Sequence, residues 1–120
     1  ELLGKKLSVM YTEKLVSKSG TNMFLIAAAA GRLEILKKIF PCYMKRNRKI
    51  LINRMDYKFT TYTPLMMGVK SGNVEMVKWL LENQASPKIL GDRKTGEYPI
   101  GAAASKNDIQ LLKILIDAKA

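Results

Sequence analysis

The chain has 120 residues, 48% of them hydrophobic, with 21 basic against 10 acidic side chains, no histidine and one cysteine. That size and apolar content suit a single cooperative domain with one buried core. The missing histidine and the lone thiol exclude imidazole acid/base chemistry, Cys–His nucleophiles and zinc sites built from those ligands, so no catalytic, cofactor-binding or metal-binding residue is assigned and an enzyme is not expected.

Cys42 cannot form an internal disulfide, which fits a reducing cytoplasmic or nuclear compartment, and it reads as a small apolar residue following a helix. The longest uninterrupted apolar run, residues 23–30, is far short of the roughly 20 residues that cross a bilayer, so membrane insertion is not expected. A formal charge of +11 is large for this length and points to an acidic partner or neighbouring segment.

Three segments align without gaps. In chain order they begin at Asn22 (NMFLIAAAAGRLEILKKIF), Thr63 (TPLMMGVKSGNVEMVKWLL) and Tyr98 (YPIGAAASKNDIQLLKILI). Gly31, Gly72 and Asn107 fall at the same offset, 41 and 35 residues apart, which is the signature of a repeat architecture. Each copy predicts two short helices joined by a tight turn. Leu25, Ala27 and Ala28, then Gly68 and Val69, then Ala102, Ala103 and Ala104 are small or apolar and allow close helix approach. The two glycines and Asn107 suit the left-handed conformation that ends a helix.

A second helix follows each turn. Its apolar positions are Leu33, Ile35, Leu36, Ile39 and Phe40, then Val74, Met76, Val77, Leu80 and Leu81, then Ile109, Leu111, Leu112, Leu115 and Ile116. Their helical spacing assigns all fifteen to the core. Met66, Met67 and Met76 read as core fillers.

The pattern resembles the ankyrin repeat. Thr63, Pro64 and Leu65 match its TPL, and Gly96 to Ile100 is a variant of the same motif, with Gly20 to Phe24 a weaker one. The Thr hydroxyl caps a helix start and Pro suits the first turn; Asn22 keeps the capping ability and Tyr98 loses it. The consensus histidine is replaced by Leu25, Met66 and Gly101, so stability is expected to rest on apolar packing. The resemblance implies an all-α solenoid of helix-turn-helix units with finger loops. Its parts are residues 1–19 as the tail of a preceding repeat and finger, 20–53 as repeat 1 with a basic insertion at 41–49, 54–88 as repeat 2 and 89–120 as repeat 3. Both ends are expected to be cut within a longer array, the alternative being a divergent three-repeat protein in which Lys106, Lys113 and Lys119 help as a makeshift cap.

The resemblance also implies a binding scaffold that uses its finger tips and inner-helix surface. The variable positions carried across are Tyr57, Phe59, Thr60, Tyr62, Lys70 and Ser71 in the second repeat, and Asp92, Lys94, Thr95, Glu97, Ser105 and Lys106 in the third. Tyr57, Phe59 and Tyr62 suit an aromatic anchor; Phe59 and Tyr62 equally suit packing between fingers. Residues 92–95, bracketed by Gly91 and Gly96, read as a turn.

Between Glu34 and Asp56 there is no acidic residue, while Lys37, Lys38, Lys45, Arg46, Arg48, Lys49 and Arg54 supply seven positive charges. Pro41 is expected to stop the helix before it, leaving residues 42–49 as an enlarged basic loop. Such a loop suits another protein with an acidic surface, or the phosphates of RNA or DNA, and equally suits a solvated face that serves only solubility. The function expected first is a protein-interaction scaffold. The alternatives are a nucleoprotein component and the regulatory ankyrin segment of a larger enzyme or channel.

Overall fold

The computed structural model describes residues 23–43, 45–54 and 61–119. Among them are seven helices, and extended pairing is limited to two isolated bridges, Tyr62 with Asp92 and Asp92 with Glu97. Helices α1 (Met23–Ala29) and α2 (Leu33–Ile39) make the first two-helix unit, and α3 (Lys45–Ile52) follows as an insertion. Helices α4 (Pro64–Ser71) and α5 (Val74–Glu82) make the second unit; α6 (Pro99–Ser105) and α7 (Ile109–Asp117) make the third.

The three turns are built alike. Gly31, Gly72 and Asn107 have φ of 69°, 71° and 57°. Their own amides donate to Ala28, Val69 and Ala104 at 3.1, 3.1 and 3.0 Å, and the next amides, of Arg32, Asn73 and Asp108, donate to Ala27, Gly68 and Ala103 at 2.9, 2.9 and 3.0 Å. This paired closure satisfies carbonyls that a helix end leaves open. Thr63 caps α4, its hydroxyl accepting from the Met66 amide at 3.3 Å, whereas Tyr98 makes no side-chain cap. The outer helices α5 and α7 are capped by Asn73 and Asp108, which accept from Met76 and Leu111 at 3.2 and 3.1 Å.

Inner helices α1, α4 and α6 lie side by side, and outer helices α5 and α7 pack in the same order. Leu25 and Met66, which replace the consensus histidine, are fully buried, as are Leu36, Met76, Val77, Leu80, Leu111 and Leu115. Gly68 permits the close approach of α4 to α5: a Cβ there would stand 2.9 Å from a Val77 methyl and 3.2 Å from the Met76 terminal methyl. At the junction of the first two repeats Phe24, Phe40 and Trp79 cluster, with Phe40 and Trp79 edge-to-face at 5.3 Å.

Two expectations are corrected. Ile35, Ile109 and Ile116 are not core; they are 47%, 61% and 54% exposed. Ile35 and Ile116 lie on the outward side of their helices, although the adjacent Leu36 and Leu115 are fully buried. Ile109 and Ile116 correspond to Val74 and Leu81, which are half-buried and packed against the core, whereas no further repeat lies against α7 among the described residues.

The second correction concerns residues 42–49. Pro41 does end α2, but it does so inside a single 3-10 turn, Phe40–Cys42, and the chain re-enters helix as α3 at Lys45. Proline is compatible with a first helical turn, no glycine follows to break the next helix, and Leu51 and Ile52 are buried, anchoring α3 to the core. Cys42 is buried, its thiol donating to the Lys38 carbonyl at 3.5 Å.

Candidate partner-binding surfaces

The first candidate surface runs along the finger of the third repeat and the C-terminal ends of the inner helices. At the finger, Asp92 accepts from the Lys94 amide and the Thr95 hydroxyl, each at 2.9 Å, while the Gly96 amide returns to its carbonyl at 2.9 Å. The turn expected over residues 92–95 is therefore present, held by an Asx-type closure. Burial is the largest influence on the Asp92 carboxyl and pushes its pKa up, but hydrogen bonds from Thr61, Thr95 and the Lys94 and Thr95 amides outweigh it and hold the group below its ordinary value.

Asp92, expected among the binding residues, has a structural role in this tip. It is only 3% exposed, and its oxygens are occupied in shaping the tip. Lys94 and Thr95 are exposed there, although the Thr95 hydroxyl also accepts from the Glu97 amide at 3.3 Å. Tyr62 is half-buried and packs against the core. Tyr57, Phe59 and Thr60 lie outside the described residues.

Along the inner-helix ends the structure brings Lys70, Glu97 and Lys106 together. The Lys70 ammonium donates to the Glu97 carboxylate at 2.9 Å, a hydrogen bond that raises the Lys70 pKa above its ordinary value. Lys106 reaches from the third repeat to the second, donating to the backbone carbonyls of Lys70 and Val69. Ser71 donates to the Gly68 carbonyl at 3.2 Å, and Ser105 is exposed. Three expected contact residues therefore also join repeats 2 and 3.

The second surface is α3. Its residues divide cleanly: Lys45, Arg46, Lys49 and Ile50 are exposed, whereas Asn47 and Arg48 are half-buried and Leu51 and Ile52 buried. Arg48 turns inward, donating to the carbonyls of Tyr43 at 3.0 Å and Pro41 at 2.8 Å with its guanidinium 5.9 Å from the Phe40 ring centre. Its charge belongs to the turn. At the other end Asn53 ties α3 to the loop after α5, accepting from the Ser86 amide at 2.7 Å and donating to the Gln84 carbonyl at 3.4 Å.

Lys45 and Arg46 occupy the first turn of α3, where the helix dipole disfavours cations, and Lys45 and Lys49 repel each other across one turn. The other basic residues are dispersed. Lys37 and Lys38 are exposed in the last turn of α2, Lys37 standing 3.7 Å from Glu34, and Arg54 is half-buried after α3.

Sequence reasoning missed three structural roles. Asn53 carries no signal beyond its residue type. Asn73 also donates to the Gly31 carbonyl at 3.5 Å, joining repeats 1 and 2, and its capping role was legible as an Asn directly after the turn glycine. The Lys106 link depends on repeat stacking and has no local signature.

Residues 2–90 match the family described as ankyrin repeats (3 copies), and residues 65–116 match a second description, ankyrin repeats (many copies). The chain belongs to the ankyrin repeat family. Domains of this family are in general protein-interaction modules and are typically non-catalytic. A search of curated proteins finds no match. No helix among the described residues is long and apolar enough to cross a membrane.

Proposed function

We propose that the domain is a non-catalytic scaffold that binds another protein through its finger tip and inner-helix ends and, on the outward side of α3, favours an acidic partner. The observation that carries the reading is the partition of α3. Three cations, Lys45, Arg46 and Lys49, face solvent in a stretch without any carboxylate between Glu34 and Asp56. Like charges gathered at a helix start are locally unfavourable, and an anionic surface relieves that repulsion. Recognition proceeds by shape and charge complementarity, in the cytoplasm or nucleus, where a chain with a single thiol needs no oxidative pairing.

The test uses a polyglutamate peptide and a single-stranded RNA of similar length as probes. Replacing Lys45, Arg46 and Lys49 together by Gln is expected to weaken polyglutamate binding and flatten its salt dependence with the thermal midpoint nearly unchanged, because exposed charges contribute little to stability. Polyglutamate binding unaffected by the replacement sinks the acidic-partner reading. Tight RNA binding that falls steeply with salt, beside weak polyglutamate binding, replaces it with the nucleic-acid reading.

A further inference from the structure

The outward face of α3 is not purely ionic. Ile50 lies on it, one turn from Arg46 and directly after Lys49, and at 68% exposure it is the most exposed large apolar side chain among the described residues. Isolated exposed isoleucines are ordinary on protein surfaces. This one differs in its setting: three cations share the same two turns of helix, and the helix is fixed in place from the other side by Leu51, Ile52, Arg48 and Asn53. A fixed helix presents its face without further ordering on binding, which lowers the entropic penalty of association.

We propose that this face docks an acidic polypeptide segment that places one large apolar side chain on Ile50 among carboxylates that meet Lys45, Arg46 and Lys49. The proposal rests on the acidic-partner reading of α3 and names what that partner carries. Charge complementarity selects an anion, and Ile50 selects among anions. A phosphate backbone satisfies the cations but gives the isoleucine no apolar contact. A membrane-surface helix needs a broad apolar side, whereas the apolar residues Leu51 and Ile52 are turned into the core, leaving Ile50 alone. A polypeptide supplies both chemistries at side-chain spacing, with an apolar contact enclosed by a charged rim.

The experiment measures binding of the whole chain to two 12-residue peptides rich in Asp and Glu, identical except that one carries a central Leu and the other Ser. A single-stranded RNA and phosphatidylserine vesicles serve as competing probes. The native chain is expected to bind the Leu peptide about ten-fold more tightly than the Ser peptide, the scale of burying one apolar side chain. Ile50→Ser is expected to abolish that preference without weakening the Ser peptide, and Ile50→Met to keep most of it. Because Ile50 is exposed, melting curves of both variants should overlay the native one, which separates contact from folding. Equal affinity of the native chain for both peptides overturns the apolar contact while leaving the acidic-partner reading standing. Failure of both peptides to bind overturns the two together. RNA or vesicles bound more tightly than the Leu peptide, unaffected by Ile50→Ser, assigns the cations to phosphate and overturns the proposal.

Discussion

The Lys106 ammonium stands 2.6 Å from the carbonyl oxygen of Lys70 and 3.4 Å from that of Val69, across the seam between the second and third repeats. It donates into the last turn of α4, where the helix dipole is negative. The Lys70 side chain in turn reaches Glu97 of the third repeat at 2.9 Å, so the two repeats are joined in both directions. Lys106→Met keeps the aliphatic stem and removes the donor. We expect a loss of about 0.3–1 kcal/mol, the usual scale for a cation at a helix C-terminus, seen as a thermal midpoint lower by a few degrees. An unchanged midpoint would show that the ammonium is merely solvated.

Gly72 adopts φ of 71°, and a Cβ at this position would meet only the Lys106 ammonium at 3.9 Å. Strain from a larger residue is therefore backbone strain rather than a clash. Gly72→Val should destabilise the domain by at least about 1–2 kcal/mol, since a β-branched residue resists the left-handed region. Urea titration followed by circular dichroism reads this directly; a midpoint equal to that of the native chain refutes it.

For Asp92 the sign of the pH dependence follows from its lowered pKa. The unfolded chain takes up the proton first, so the stability contributed by the carboxylate is complete above the ordinary carboxyl range and is lost as pH falls through the lower folded value. Asp92→Ala should cost about 1–3 kcal/mol near neutral pH, because amide and hydroxyl donors lose a buried acceptor. The difference between variant and native chain should begin to narrow below about pH 4 and go on narrowing as the pH falls further. A difference that stays constant down to pH 2 would mean that the charge has no part in holding the tip.

Leu115 and Ile116 test which side of α7 is packed. Leu115 is fully buried and its neighbour is 54% exposed. Leu115→Ala is expected to cost about 2–5 kcal/mol and Ile116→Ala no more than about 0.5 kcal/mol. Comparable losses in calorimetry for the two variants would contradict the orientation of the helix.

Much of this architecture was legible because it repeats. The offset shared by Gly31, Gly72 and Asn107 marked three left-handed turns, and each turn closes with the same pair of backbone bonds. Thr63 capped as its residue type implied, and Tyr98 did not. Legibility ended where the pattern was interrupted or where contacts joined distant segments. Pro41 and the dense charge around it have the local character of a loop, yet Leu51 and Ile52 supply the burial that makes the short helix α3 stable. The variable finger tips of the family point to Asp92 as a contact residue, but its position alone does not reveal that its carboxylate closes the turn. At the binding surfaces, residue type could suggest cations but could not tell that Arg48 points inward while Lys49 and Ile50 point out.

The ring cluster at the first seam makes the molecule its own reporter. Trp79 is the sole tryptophan, and its indole lies 5.3 Å from the Phe40 ring centre and 6.4 Å from that of Phe24. Its fluorescence therefore follows the contact between repeats 1 and 2, while far-ultraviolet circular dichroism averages over every helix. In a linear array each unit leans only on its neighbours, so the ends can melt at different denaturant concentrations. Superimposable fluorescence and dichroism curves would mark the stack as one cooperative block. Dichroism lost ahead of fluorescence would mean that the third repeat peels away while the aromatic seam still holds.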